Sequence, residues 1–202
     1  MRLTDDRYAN EKAQFDLAMR MIRHEARTGT ITECTGLSDD RIRKLYGTYF
    51  RSNERSPVRR RRGKSPQQVQ FFVKNAFNQL EATTLVALYA ANLLIRIEPE
   101  NRVQRCWPRP DVEYGHRLCR AYETYQLLHP KPLLNFEWAW ALLQHISRND
   151  ELYLAGCAGC TAVYVQDAYA LDNARCPACS IAVRNPSAPR PHGGRRTKPD
   201  GA

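Results

Sequence analysis

Four cysteines are the residues of this chain whose types and spacing most clearly imply chemistry. Cys157-Ala-Gly-Cys160 and Cys176-Pro-Ala-Cys179 form two CxxC pairs with fifteen residues between them. Each tight turn aims two sulfurs at one point, and a hairpin between the pairs brings all four together, as a tetrahedral structural zinc site requires. One Zn2+ per chain, closed in by four thiolates, leaves no open position for substrate or water. The site is therefore expected to hold structure and not to perform catalysis. Two disulfides, four unrelated buried cysteines, or a redox switch on the same sulfurs are the competing readings. Disulfides need an oxidising compartment, whereas Met1-Arg-Leu-Thr-Asp-Asp is charged and no apolar stretch of a signal peptide follows it, so a cytoplasmic setting is expected. Cys34, Cys106 and Cys119 stand alone, and an odd total of seven suits a reducing cytosol.

The second chemical signal is charge. The formal net charge is +10, and it is concentrated in two segments. Residues 51–64 hold seven basic side chains against Glu54, and residues 184–202 hold five against Asp200, so the rest of the chain is formally neutral. Positive charge gathered this way points to a polyanion partner, with solvated tails as the plain alternative. Arg59, Arg60, Arg61 and Arg62, laid along a duplex, can each neutralise a phosphate and release a condensed counterion. Such contacts give affinity and register without base choice. No enzyme is expected: there is no glycine-rich phosphate loop, no nucleophile beside a base, and no open metal site. His116, His129 and His145 lack any paired spacing and read as ordinary helix residues. No apolar run reaches the roughly 18 residues of a membrane span; residues 85–97 come nearest but contain Asn92 and Arg96.

The elements that must position these groups are mainly helical. Leu17, Ala18, Met21 and Ile22 recur on one face of a helix over residues 5–27, which Thr28-Gly29 ends. Thr30-Ile-Thr-Glu33 has capping-box form and starts a short helix that stops at Gly36. Ser38 caps a third helix whose first turn carries Asp39 and Asp40; Ile42, Leu45, Tyr46 and Tyr49 face inward, leaving Arg41, Arg43 and Lys44 outside. Helix, short helix, turn and basic helix make a helix-turn-helix-like order over about residues 13–50, which serves either to read DNA or as a scaffold or dimerisation surface. Residues 51–66 form a basic linker. Pro66 then opens a long helix with a break near residues 82–84, a loop spans 98–110, and two further helices cover 111–129 and the stretch capped by Asn135. Residues 151–183, with strand-like Glu151-Leu-Tyr-Leu and Ala162-Val-Tyr-Val, read as a four-cysteine zinc ribbon appended to an α-helical body over residues 1–150, and residues 184–202 as a disordered basic tail. Arg175, inside the ribbon, is a further candidate for phosphate contact.

Several of these patches together resemble a known family. Gly36-Leu-Ser-x-x-Arg41-Ile42-x-x-Leu45-Tyr46, Ala121-Tyr122-x-x-Tyr125, Ala139-Trp140-x-Leu142, Leu152-x-Leu154-x-x-Cys157-x-x-Cys160 and Cys176-x-x-Cys179 are similar, in order and spacing, to FlhC, the zinc-containing subunit of the FlhD/FlhC flagellar master activator. The resemblance spans roughly residues 15–179, with the four cysteines its most specific part. It implies a cytoplasmic transcription activator that assembles with an FlhD-like subunit into a heterohexamer, binds flagellar (class II) promoter DNA and recruits RNA polymerase, its zinc held by Cys157, Cys160, Cys176 and Cys179. A zinc-ribbon RNA-binding protein using the same basic segments, or a helical protein-interaction module, are the alternatives.

Overall fold

Side-chain caps fix where the helices begin. In the computed structural model, which describes residues 2–50, 58–63, 65–170 and 175–184, Asn75 accepts from the amides of Phe77 and Asn78, Asp111 from Tyr114, and Asn135 from Glu137 and Trp138. Each satisfies amides that the first helical turn would otherwise leave unpaired. They open α5 (Ala76–Ala91), α6 (Val112–Leu128) and α7 (Phe136–Ile146). These three helices carry most of the core: Leu85, Tyr89, Leu118, Tyr125, Phe136 and Leu142 are fully buried. The architecture is mainly α, as expected, with a small two-stranded module that carries the cysteines.

At the N-terminal end, α1 (Arg2–Arg23), α2 (Thr28–Thr35) and α3 (Asp39–Tyr49) follow the helix-turn-helix-like order. Leu17, Ala18 and Met21 of α1 are fully buried, and α1 lies against α6 so closely that a Cβ at Gly115 would fall 2.5 Å from Leu17 Cδ2. Any larger residue there would force the Leu17 side chain to shift. Gly36 ends α2 at φ +70°, a left-handed conformation that glycine adopts without the Cβ penalty. Ser38 then caps α3 as expected, accepting from the Arg41 amide.

Several local expectations are corrected. Thr28-Gly29 starts α2 where a helix end was expected, and Thr30 sits inside that helix, its hydroxyl donating to Glu137 and not forming a capping box. Tyr49 is exposed, because α3 buries only Ile42 and Leu45. Pro66 does not open a helix. Residues 65–68 are irregular, α4 (Gln70–Val73) makes one turn, and the chain breaks at Lys74-Asn75 before α5. Residues 82–84 are continuous helix, within which Thr83 and Thr84 donate their hydroxyls to the carbonyls of Gln79 and Leu80 one turn back. The expected loop at 98–110 contains half of a hairpin, in which β1 (Ile95–Ile97) pairs with β2 (Val103–Arg105), Ile97 opposite Val103. Asn149 clamps it from beyond α7, donating to the Val103 carbonyl (2.7 Å) and accepting from its amide (3.0 Å).

The C-terminal module is an antiparallel hairpin, β3 (Leu152–Gly156) and β4 (Val163–Asp167), followed by α8 (Pro177–Arg184). The strands match the sequence expectation; α8 was not anticipated. Leu152, Leu154 and Val165 join the main core, while Ala155, Cys157, Tyr164 and Cys176 form a small cluster of their own. The basic tail expected at residues 184–202 lies outside the described residues, apart from the backbone of Arg184.

Candidate metal centre and basic surface

The hairpin register places the first CxxC pair just past β3 and β4, at the turn that joins them. Cys157 donates its amide to the Ala162 carbonyl and its carbonyl accepts from Thr161, closing a tight loop around Cys160. The second pair sits at the start of α8, where Pro177 takes the first helical position, at which no amide is needed. There Ser180 donates to the Cys176 carbonyl and Cys179 donates its amide to Cys176 Sγ.

These two turns face each other. The four Sγ atoms all lie within 4.8 Å of one another, with Cys157 and Cys179 3.9 Å apart and Cys160 and Cys176 3.6 Å apart. Four sulfurs each about 2.3 Å from a central tetrahedral ion are separated by about 3.8 Å, so this spacing fits a metal ion. A disulfide needs about 2.05 Å, and none of the seven cysteines is paired in that way. Four cysteines close together could therefore hold a metal ion. The amide of Cys176, helped by those of Gly159 and Cys160, points at Cys157 and lowers its thiol to about 6. Cys179 faces the sulfurs of Cys160 and Cys176 and is raised to about 12. Four sulfurs cannot all ionise side by side unless a cation is shared among them.

The hairpin is fastened to the body by polar contacts. Gln79 on α5 donates its amide to the Val165 carbonyl at 2.9 Å, Thr83 accepts from the Val165 amide, and Gln70 on α4 donates to Asp167. A polar cavity beside this seam is lined by Gln70, Gln79, Gln166, Asp167 and Arg175.

The arginine run of the basic linker has no regular structure where it is described, and it is held against the helical body there. The Tyr46 hydroxyl donates to the Val58 carbonyl, Arg60 lies 5.9 Å over the Tyr46 ring, Arg61 pairs with Glu25 at 2.8 Å, and Ser65 donates to Glu137 at 2.8 Å. Arg59 and Arg62 point outward. Residues 51–57 and 64, the rest of that linker, lie outside the described residues. On α3, Arg41 and Lys44 are exposed; Arg43 is turned back onto Asp39 and Asp40 of its own helix. The structure brings Arg43 and Arg60, Arg61 and Arg62 to one groove, which Arg27 also lines. Arg175 is on a different cavity. Nothing in the sequence spacing of Arg27 signals that the arginine run returns to meet it.

The sequence profile of the FlhC flagellar transcriptional activators matches residues 4–191. This chain belongs to the FlhC family. The match runs through every described helix and both cysteine pairs, so the resemblance read from scattered patches holds along nearly the whole length. No significant match to an individual curated protein sequence was found. FlhC proteins are transcriptional activators and not an enzyme family. Four sulfurs spaced to share one ion would leave that ion no open position for substrate or water. Among the described residues no helix is long and apolar enough to cross a membrane.

Proposed function

We propose that this FlhC-family chain is the DNA-binding, zinc-containing subunit of a cytoplasmic flagellar activator that works with an FlhD-type partner in a heterohexamer at class II promoters and recruits RNA polymerase. One structural Zn2+ held by Cys157, Cys160, Cys176 and Cys179 keeps the β3–β4 hairpin and the start of α8 together. That module in turn rests on α5, so the ion supports the helical body at one remove. Arg41, Arg43, Lys44, Arg59, Arg60, Arg61 and Arg62 are the phosphate-contacting candidates on the N-terminal side, and Arg175 on the module side.

The observation that carries the DNA reading is the meeting of α3 and the arginine run at one basic groove. Two separate segments of the chain pool their guanidinium groups there, and arginine matches phosphate geometry with paired donors. A partner is supported by Leu127, Leu128 and Leu133, which are exposed at the end of α6 and in the loop after it. Co-expression with an FlhD-type protein, followed by size measurement, metal assay and DNA titration across a salt series, tests the reading. A co-purifying complex whose DNA affinity falls steeply with salt is expected. A monomer that binds structured RNA better than duplex DNA at matched salt would replace it with the RNA-binding alternative.

A further inference from the structure

The basic groove has a volume of about 520 Å3 and its walls come from three parts of the chain: Arg27 and Gly29 at the start of α2, Arg43 on α3, and Arg60, Arg61 and Arg62. Asp39 is the carboxylate on its wall. Acids pair with several of these cations: Glu25 takes Arg61, Asp39 and Asp40 take Arg43, and buried Glu137 lies 3.7 Å from Arg27 Nε. Several donors are left over. Among the described residues Arg60 engages only the Tyr46 ring and Arg62 makes no ion pair or hydrogen bond, whereas Arg27 Nε is buried against Glu137 and is itself shut off from the groove. The Arg27 guanidinium reaches the turn that closes the run, since a Cβ at Gly63 would lie 3.8 Å from Arg27 Nη1.

Cations of one sign lining a cleft with low-dielectric walls focus the field into it and draw in an anion. A polyanion fits better than a small one here. Exposed Arg59 and exposed Arg41 and Lys44 lie on the same two segments that wall the groove, and carry the positive surface onward beyond anything a lone phosphate would touch. We infer that this groove is a subsite for a backbone phosphate of duplex DNA and that Arg27, outside both basic segments, is one of its contacting residues. The inference rests on the DNA-binding reading above.

Gly29 offers a test that separates binding from folding. A Cβ built there meets nothing within 4 Å, and α2 has no acidic residue in its first turn. Gly29→Asp therefore places a carboxylate where the helix dipole favours it and where glycine is a poor helix former, so folding is not impaired. The same carboxylate stands in the groove and repels phosphate. The full chain, co-expressed with an FlhD-type subunit, is titrated with a fluorescein-labelled mixed-sequence DNA duplex over a salt series. Gly29→Asp is expected to bind about tenfold more weakly than the parent, with a melting temperature no lower. Arg27→Gln is expected to make the slope of log affinity against log salt shallower by about 1, and Arg27→Lys to restore it. Parent-like affinity of Gly29→Asp and an unchanged slope for Arg27→Gln, in a protein that itself binds the duplex, would overturn the groove alone. A parent protein that does not bind the duplex, or prefers structured RNA at matched salt, overturns both the groove and the DNA reading.

Discussion

Val165 on β4 and Thr83 on α5, 82 residues apart in sequence, are joined by a hydrogen bond of 3.1 Å from the Val165 amide to the Thr83 hydroxyl. The edge strand of the cysteine-bearing hairpin thus continues its backbone pairing onto a helix of the main core. Gln79, one turn earlier, takes the Val165 carbonyl. Thr83→Val keeps the shape of the side chain but leaves the Val165 amide without its partner, at a cost of about 1–2 kcal/mol. Urea denaturation checks this, and a loss well under about 0.5 kcal/mol would mean that the seam does not fasten the module.

Glu137 is 1% exposed and sits in the first turn of α7, where its carboxylate accepts from the Arg27 amide (2.7 Å), the Thr30 hydroxyl (3.3 Å) and the Ser65 hydroxyl (2.8 Å). It ties the start of α2 and the segment after the arginine run to the core. Glu137→Ala leaves a buried amide and two hydroxyls unpaired and is expected to cost about 3 kcal/mol in the same denaturation experiment. Glu137→Gln, which retains acceptor capacity at one atom, is expected to cost less.

Glu123 on α6 receives two hydrogen bonds from Arg20, at 2.8 and 2.6 Å, and one contact from His24 at 2.9 Å. Arg20 and then His24 hold its carboxyl well below the usual carboxylate range, at about 2. A depressed acid contributes stability that is fully present above its unfolded value of about 4.5 and is lost as pH falls toward 2. Because the pair is partly exposed, the contribution is small and shrinks with salt. Glu123→Gln should flatten the dependence of melting temperature on pH between about 4.5 and 2, most clearly at low salt; an unchanged profile would show that the pair does not couple α1 to α6.

How much of this was legible in the sequence depends on whether the signal was local. The two CxxC turns were, because their spacing dictates their geometry, and so were the caps Ser38 and Asn135, which act within three residues of themselves. Asn75 uses the same chemistry, yet Pro66 offered a stronger apparent start nine residues earlier, and the cap went unread. The β1–β2 strands have three residues each, too few for alternation to register. Where the arginine run rests was illegible for a different reason. Its composition resembles a solvated linker, and what fixes it lies elsewhere in the chain: Tyr46, Glu25 and Glu137. Long-range partners of that kind leave no trace in local pattern, and the same holds for Arg27 at the groove.

In the proposed function, four sulfurs share one ion and so keep the C-terminal module folded on α5. Structural zinc can contribute on the order of 10 kcal/mol near neutral pH, so one missing thiolate should release it. The most direct measurement is zinc stoichiometry of the purified full chain by atomic emission, beside Cys176→Ser prepared in the same way. One zinc per chain in the parent, and loss of zinc together with loss of DNA binding in Cys176→Ser, is the predicted result; metal-free parent protein, or full zinc retained by Cys176→Ser, would contradict it.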